Sequence, residues 1–176
     1  MNVHKSPAPA GRVDSIHLHP KERGAPLRSA EGIELVAGKG IVGDERCFGR
    51  LSRTPEKPSR RQVTLIEREQ IAEHAVALGL EKIAPGAVRS NIETRGINLI
   101  SLLGRQIQIG TAVLFLYEPR EPCPRMDAIC PGLRARMMNN RQGVLAEIVR
   151  SGSIRCGDAI TVLEIGATGQ IGRAHV

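Results

Sequence analysis

Apolar and polar positions along this chain recur mostly with the short period of β-strands. Residues 12–18 alternate before a turn at Pro20-Lys21-Glu22-Arg23-Gly24, and residues 33–36 make a second short apolar run. Further strands are predicted at 63–66, 88–92, 106–109 and 111–117; the last holds the most continuous apolar run, Val113-Leu114-Phe115-Leu116-Tyr117. Residues 144–150, 153–155 and 159–164 alternate or run apolar, with Ser151-Gly152 and Gly157-Asp158 as turns, and read as closing antiparallel strands. Residues 67–78 instead predict a helix, with acidic residues in the first turn, Ile71, Ala75 and Leu78 at helical spacing, and Gly79 as its stop. Leu99 to Leu103 suggest one helical turn, and 126–138, interrupted by Pro131-Gly132, two short helices. The predicted fold is mainly β, a closed or partly open β-barrel with a few short helices, spanning 11–164 between a loose arm (1–10) and a tail (165–176). The polar stretch 50–61, rich in arginine and interrupted by two prolines, predicts a mobile basic loop.

Composition narrows the picture. A chain of 176 residues suits one domain and buries roughly 70% of its unfolded surface without help from a disulfide or metal. With no Trp, one Tyr and two Phe, the core must be aliphatic, and a base-stacking nucleic-acid binder is disfavoured. No apolar stretch reaches the length of a membrane-spanning helix, so no membrane partner is expected. Cys47, Cys123, Cys130 and Cys156 form no CxxC pair and no zinc spacing, and there is no secretory apolar segment; reduced thiols in the cytoplasm are expected. The net charge of +7 comes from an excess of arginine, whose planar fork of donors matches phosphate and carboxylate. A polyanionic ligand and a merely solvated basic surface both fit that charge.

The candidate chemistry centres on Arg120-Glu121-Pro122-Cys123-Pro124-Arg125, directly after the long apolar strand. Guanidinium groups beside a thiol favour the thiolate, the form that binds metals and attacks electrophiles; the bland alternative is a buried cysteine between turn prolines. His17 and His19 would share a strand face, where they could bind a metal but are expected simply to be exposed. Gly38-Lys39-Gly40-Ile41-Val42-Gly43-Asp44 turns tightly or admits a ligand, without the order of a P-loop. On the predicted strand 88–92, Arg89 and Asn91 would point to one side, towards solvent or a ligand.

Taken in order, Gly40-Ile41-Val42-Gly43-Asp44, Arg61-Gln62-Val63-Thr64-Leu65-Ile66, Arg89-Ser90-Asn91-Ile92, Pro122-Cys123 and Gly152-Ser153-Ile154-Arg155-Cys156-Gly157-Asp158 resemble the MOSC domain, the molybdenum-cofactor sulfurase C-terminal domain, in its small stand-alone bacterial form. The resemblance implies a β-barrel that binds the molybdenum cofactor, with Cys123 as the molybdenum ligand. Gly43, Asp44, Arg60, Arg61, Arg89, Asn91, Arg120 and Arg125 would then contact the pterin and its phosphate. In relatives such as the mitochondrial amidoxime reducing component the matching cysteine ligates molybdenum and N-hydroxylated compounds are reduced. The resemblance therefore implies an oxidoreductase fed by a separate electron-transfer protein; a carrier of persulfide sulfur or of the cofactor is the alternative. Two positions depart from the pattern: Ser90 stands where many relatives have Glu, and Glu45 separates Gly43-Asp44 from Arg46.

Overall fold

The computed structural model describes residues 8–53 and 57–164. In chain order the elements are β1 (Gly11–Leu18), β2 (Arg28–Ala30), β3 (Gly32–Val36), β4 (Gly40–Ile41), β5 (Val63–Glu67), α1 (Arg68–Ala77) and β6 (Ile92–Arg95). A 3-10 turn at Ile100–Leu102 leads into β7 (Gln106–Ile109), β8 (Ala112–Pro119), α2 (Arg125–Ile129), α3 (Leu133–Arg136), β9 (Val144–Arg150), β10 (Gly152–Arg155) and β11 (Ala159–Val162). Seven strands close a barrel in the order β11-β7-β8-β9-β5-β6-β1, sealed where Gly11 and Arg12 pair with Ile160 and Ala159. Within it β5 and β6 run parallel, while the other neighbouring strands are antiparallel. β2 extends the sheet from β1, and β10, β3 and β4 form a separate three-stranded sheet. Mainly β structure in a closed barrel with three short helices is thus the architecture, as the short-period pattern predicts. No helix among the described residues is long and apolar enough to cross a membrane.

The barrel is filled by aliphatic side chains, among them Ile16, Leu65, Ile92, Ile107, Ile109, Leu114 and Leu116. At about 1.5–3 kcal/mol per buried aliphatic side chain, such a core does not need the aromatic residues the sequence lacks. β5 is buried along its whole length because it serves two cores. Val63 and Leu65 face the barrel, and Ile66, on the alternate face, joins Ile71 and Ala75 of α1 with Met126, Leu133 and Met137 from the α2–α3 region. Behind β5 the chain passes so close that residue 143 must be glycine. Gly143 has φ +74°, and a Cβ there would fall against the Leu65 carbonyl and 2.9 Å from Ile66 Cα.

Several predicted elements change on folding. Residues 88–91 are not strand: Ala87 and Arg89 close turns onto Ala84 and Gly86, Arg89 takes a left-handed φ of +65°, and β6 begins only at Ile92. The cause is Glu93, fully buried, which accepts the Gly86 amide at 2.8 Å and pairs with Arg68 Nη1 at 3.1 Å, anchoring the turn to the strand that follows it. His17 and His19, expected to be exposed, are both buried; His17 hydrogen-bonds Ser15 Oγ at 2.8 Å and packs beneath Gly86. The basic loop 50–61 is tied at its flanks by Ser59 N donating to Arg50 O and a bridge between Leu51 and Pro58, with residues 54–56 outside the described residues. β2 has no counterpart in the predicted elements, and β10 pairs with β3 instead of its sequence neighbours. Residues 1–7 of the expected arm and the tail 165–176 lie outside the described residues.

Candidate functional site

Five separate stretches of chain meet around one cavity of about 390 Å3. The turn after β1 gives His19 and Arg23, the turn after β4 gives Arg46, and the residues leading into β5 and β6 give Arg61 and Arg89. Arg120, Cys123 and Pro124 come from the segment after β8, and Arg125 and Met126 from the start of α2. Glu121 is the single acidic side chain on its wall. Cys123 is half-buried, touching the second core on one side and the cavity on the other.

Arg120 is the most constrained of these groups. Its side chain is buried, and Nη1 donates to Ser90 Oγ at 2.9 Å and to Val88 O at 3.3 Å. Among the described residues no carboxylate lies within ion-pair distance of it. Burial first, then the neighbouring Arg61, pull its guanidinium down to about 9, with Cys123 acting the opposite way. It stays charged at neutral pH, and a buried charge without a counter-charge is costly unless something brings one. Arg89 is held by Nη1 donating to Ala25 O at 2.9 Å, while its Nε and Arg125 Nη1 are buried with no hydrogen-bond partner. Burial lowers Arg89 too, then Arg125 and Arg46 beside it. Holding a non-glycine residue left-handed costs about 1 kcal/mol, which the Glu93 anchor absorbs to turn this guanidinium towards the cavity.

Behind His19 lies a closed network. Asp44 Oδ2 accepts His19 Nδ1 at 2.8 Å, the His19 amide at 3.1 Å and Asn91 Nδ2 at 2.9 Å. Its Oδ1 accepts the amides of Cys47 at 3.0 Å and Arg46 at 3.2 Å. Burial pushes the Asp44 carboxyl up, but the His19 ring bond and charge and the amides of His19 and Cys47 outweigh it and bring it down to about 2. Asn91 ties this network to β5, since its Oδ1 accepts the Thr64 amide and hydroxyl, both at 3.1 Å. His19, Asp44 and Cys47 each offer a ligand atom within 4.8 Å of the others. Five donors already occupy the Asp44 oxygens, and burial, then Asp44 itself, push the Cys47 thiol up, so these three residues are explained by hydrogen bonding without an ion.

Among the residues singled out from sequence, Cys123, Arg61, Arg89, Arg120 and Arg125 come together on the cavity wall. Asp44 and Asn91 sit behind that wall, both buried, with their polar atoms spent on neighbours. Gly43 is exposed, with its carbonyl accepting Arg28 Nη2 at 3.2 Å, and it does not line the cavity. Arg60 also stays outside: it pairs with Glu147 at 3.2 Å and lies 4.3 Å from the Tyr117 ring centroid. His19, Arg23 and Arg46 were missed as cavity residues. The turn signal at 20–24 and the position of Arg46 just past Gly43-Asp44 were the local hints, but neither says which way a side chain faces.

Comparison with known proteins matches the chain to one family. The MOSC domain model matches residues 16–161. Among solved structures, the YuaD protein from Bacillus subtilis superposes with a TM-score of 0.70 at 22% identity, over 86% of this chain and 94% of that one. YiiM from Geobacillus stearothermophilus gives 0.66 at 17% identity, over 90% and 78%, and YiiM from Escherichia coli gives 0.62 at 18%, over 87% and 70%. At these identities the structures speak for the fold alone. No curated protein matches in sequence. With most of its barrel covered by the family model, and the same fold in these solved structures, the chain belongs to the MOSC domain family.

Proposed function

We propose that this protein binds the molybdenum cofactor in the arginine-lined cavity, with Cys123 as the protein ligand to molybdenum, and acts as an oxidoreductase on N-hydroxylated compounds. The observation that carries this reading is Arg120, a buried guanidinium with no carboxylate partner among the described residues, on the same cavity wall as a half-buried thiol. The donor set fits the group. A soft sulfur suits molybdenum, and the guanidinium forks suit a pterin phosphate, with the orphaned Arg89 Nε and Arg125 Nη1 as spare donors.

Arg61, Arg89, Arg120 and Arg125 would bind and orient the anionic part of the ligand, and Pro124 stiffens the loop that presents Cys123. Ser90, which takes the place of the Glu found in many relatives, gives Arg120 a neutral acceptor and so leaves its charge available. When bound, the cofactor would supply the two-electron redox chemistry, fed by a separate electron-transfer protein. Asp44 and Asn91 would act through the wall they brace instead of through direct contact. All four cysteines are free, which suits a cytoplasmic setting.

The test is molybdenum and pterin content after co-expression with cofactor biosynthesis, for wild type and Cys123→Ala. Stoichiometric molybdenum in wild type and its loss from the variant are expected, with the fold retained by circular dichroism. Equal metal content in both would remove Cys123 from the role. Bound sulfane sulfur without molybdenum would favour a sulfur carrier.

A further inference from the structure

Of the two buried histidines at the end of β1, His19 alone reaches the cavity. His17 is enclosed by Ser15, Glu93 and the Gly86 turn. The His19 ring is fixed twice, by Nδ1 against Asp44 Oδ2 at 2.8 Å and by its own amide on the same oxygen at 3.1 Å. An ionised carboxylate accepts only, so Nδ1 carries the proton and Nε2 is the nitrogen left for chemistry. Nε2 makes no hydrogen bond among the described residues. The pair therefore has the arrangement in which a carboxylate orients an imidazole and balances its charge while the far nitrogen works on a substrate.

We propose that His19, oriented by Asp44, is a catalytic residue whose Nε2–H delivers a proton to the leaving oxygen of the substrate held in the cavity. The inference rests on the N-hydroxylated substrate of the proposed function. Cleaving R–NH–OH to R–NH2 and water breaks one N–O bond and consumes two electrons and two protons. The electrons come from the reduced electron-transfer protein. One proton passes from the His19 imidazolium to the departing hydroxyl oxygen, the other reaches nitrogen from solvent, and the imidazole is reprotonated from solvent. Asp44, bonded to the ring, and Glu121 are the anionic groups around His19; Arg23, Arg46, Arg61, Arg89, Arg120 and Arg125 are the cationic ones on the shared cavity wall, with the Cys123 thiol beside them. Lys21, Glu22, Glu45 and Arg50 face it from an adjoining hollow that His19 also lines. Asp44 is the one carboxylate in hydrogen-bond contact with it, so it is the group that offsets an imidazolium in a hollow crowded with guanidinium groups.

The test uses His19→Asn, whose amide N–H still reaches Asp44 while the Nε2 position is removed. Wild type and variant are loaded by co-expression and assayed with benzamidoxime and reduced methyl viologen. Equal molybdenum and pterin content, KM within about twofold, and kcat lowered about 100-fold or more are expected, with loss of the alkaline fall in rate that marks a general acid. Equal loading with unchanged kcat and pH profile overturns the proposal. A second readout needs no cofactor: 15N resonances of the His19 ring in cofactor-free wild type are followed as inorganic phosphate is added. The Nε2 signal is expected to move while Nδ1 keeps its Asp44 bond; an unmoved Nε2 signal at saturation overturns the proposal. Failure of the wild type to take up molybdenum defeats the proposed function instead, and the phosphate titration then decides whether His19 donates to a cavity anion.

Discussion

Replacing Asp44 by Asn exchanges one acceptor oxygen for a donor at a position 2% exposed, and the surroundings fix the consequence. The amide oxygen can still accept the Cys47 and Arg46 amides. The new NH2 faces three donors: the His19 amide, His19 Nδ1 and Asn91 Nδ2. The imidazole can adapt by moving its proton to Nε2, but the His19 amide and Asn91 Nδ2 cannot. Two stranded buried donors at about 1–3 kcal/mol each predict a loss of about 4 kcal/mol, a fall in Tm of roughly 8–16 °C for a chain of this length. Protonation gives an independent measure. The carboxyl falls from 3.8 to about 2 on folding, which at about 1.36 kcal/mol per pKa unit is about 2 kcal/mol. Because the folded value is the lower one, this stabilisation is fully present above pH 4 and is lost as pH falls towards 2. Urea unfolding of wild type and variant at pH 7, 5, 4 and 2.5 should therefore show a gap of about 4 kcal/mol that narrows by about half at the acid end. A gap under about 1 kcal/mol at pH 7, or one that does not narrow, would refute the argument that this carboxylate organises the wall behind His19.

Three further outcomes separate the parts of the site. Arg120→Gln keeps a donor for Ser90 Oγ and Val88 O but removes the buried charge, so the ligand-free protein should melt no lower while protection by phosphate in thermal-shift titrations weakens at least about tenfold. Arg61→Ala should weaken that protection as well, whereas Arg60→Ala, outside the cavity and pairing with Glu147 on the surface, should leave it unchanged and cost at most about 1 kcal/mol in urea unfolding. Gly143→Ala forces a Cβ into the backbone of β5 at a left-handed φ, and a loss of more than about 3 kcal/mol, or failure to fold on circular dichroism, is expected.

The sequence by itself determined most of the strand pattern, the helix expected over 67–78 and found at Arg68–Ala77, the paired short helices after Cys123 and the concentration of arginine around that cysteine. These are legible because alternation of period two, a glycine stop or a proline break acts within a few residues. Tertiary structure decided what the arginines do. Arg60 and Arg61 are neighbours in sequence, yet one stacks near Tyr117 and pairs with Glu147 while the other lines the cavity, a divergence set by their tertiary partners just ahead of β5. Arg89 reads as one face of a strand, but the buried Glu93 four residues later holds a turn there, and nothing local announces where Glu93 will be buried. His19 and Asp44 lie 25 positions apart, and Asn91 a further 47 from Asp44; they meet only once β1 and β6 are paired in the closed barrel. A local pattern specifies which elements form, but the pairing of distant side chains waits on barrel closure, and the candidate site is made of such pairs.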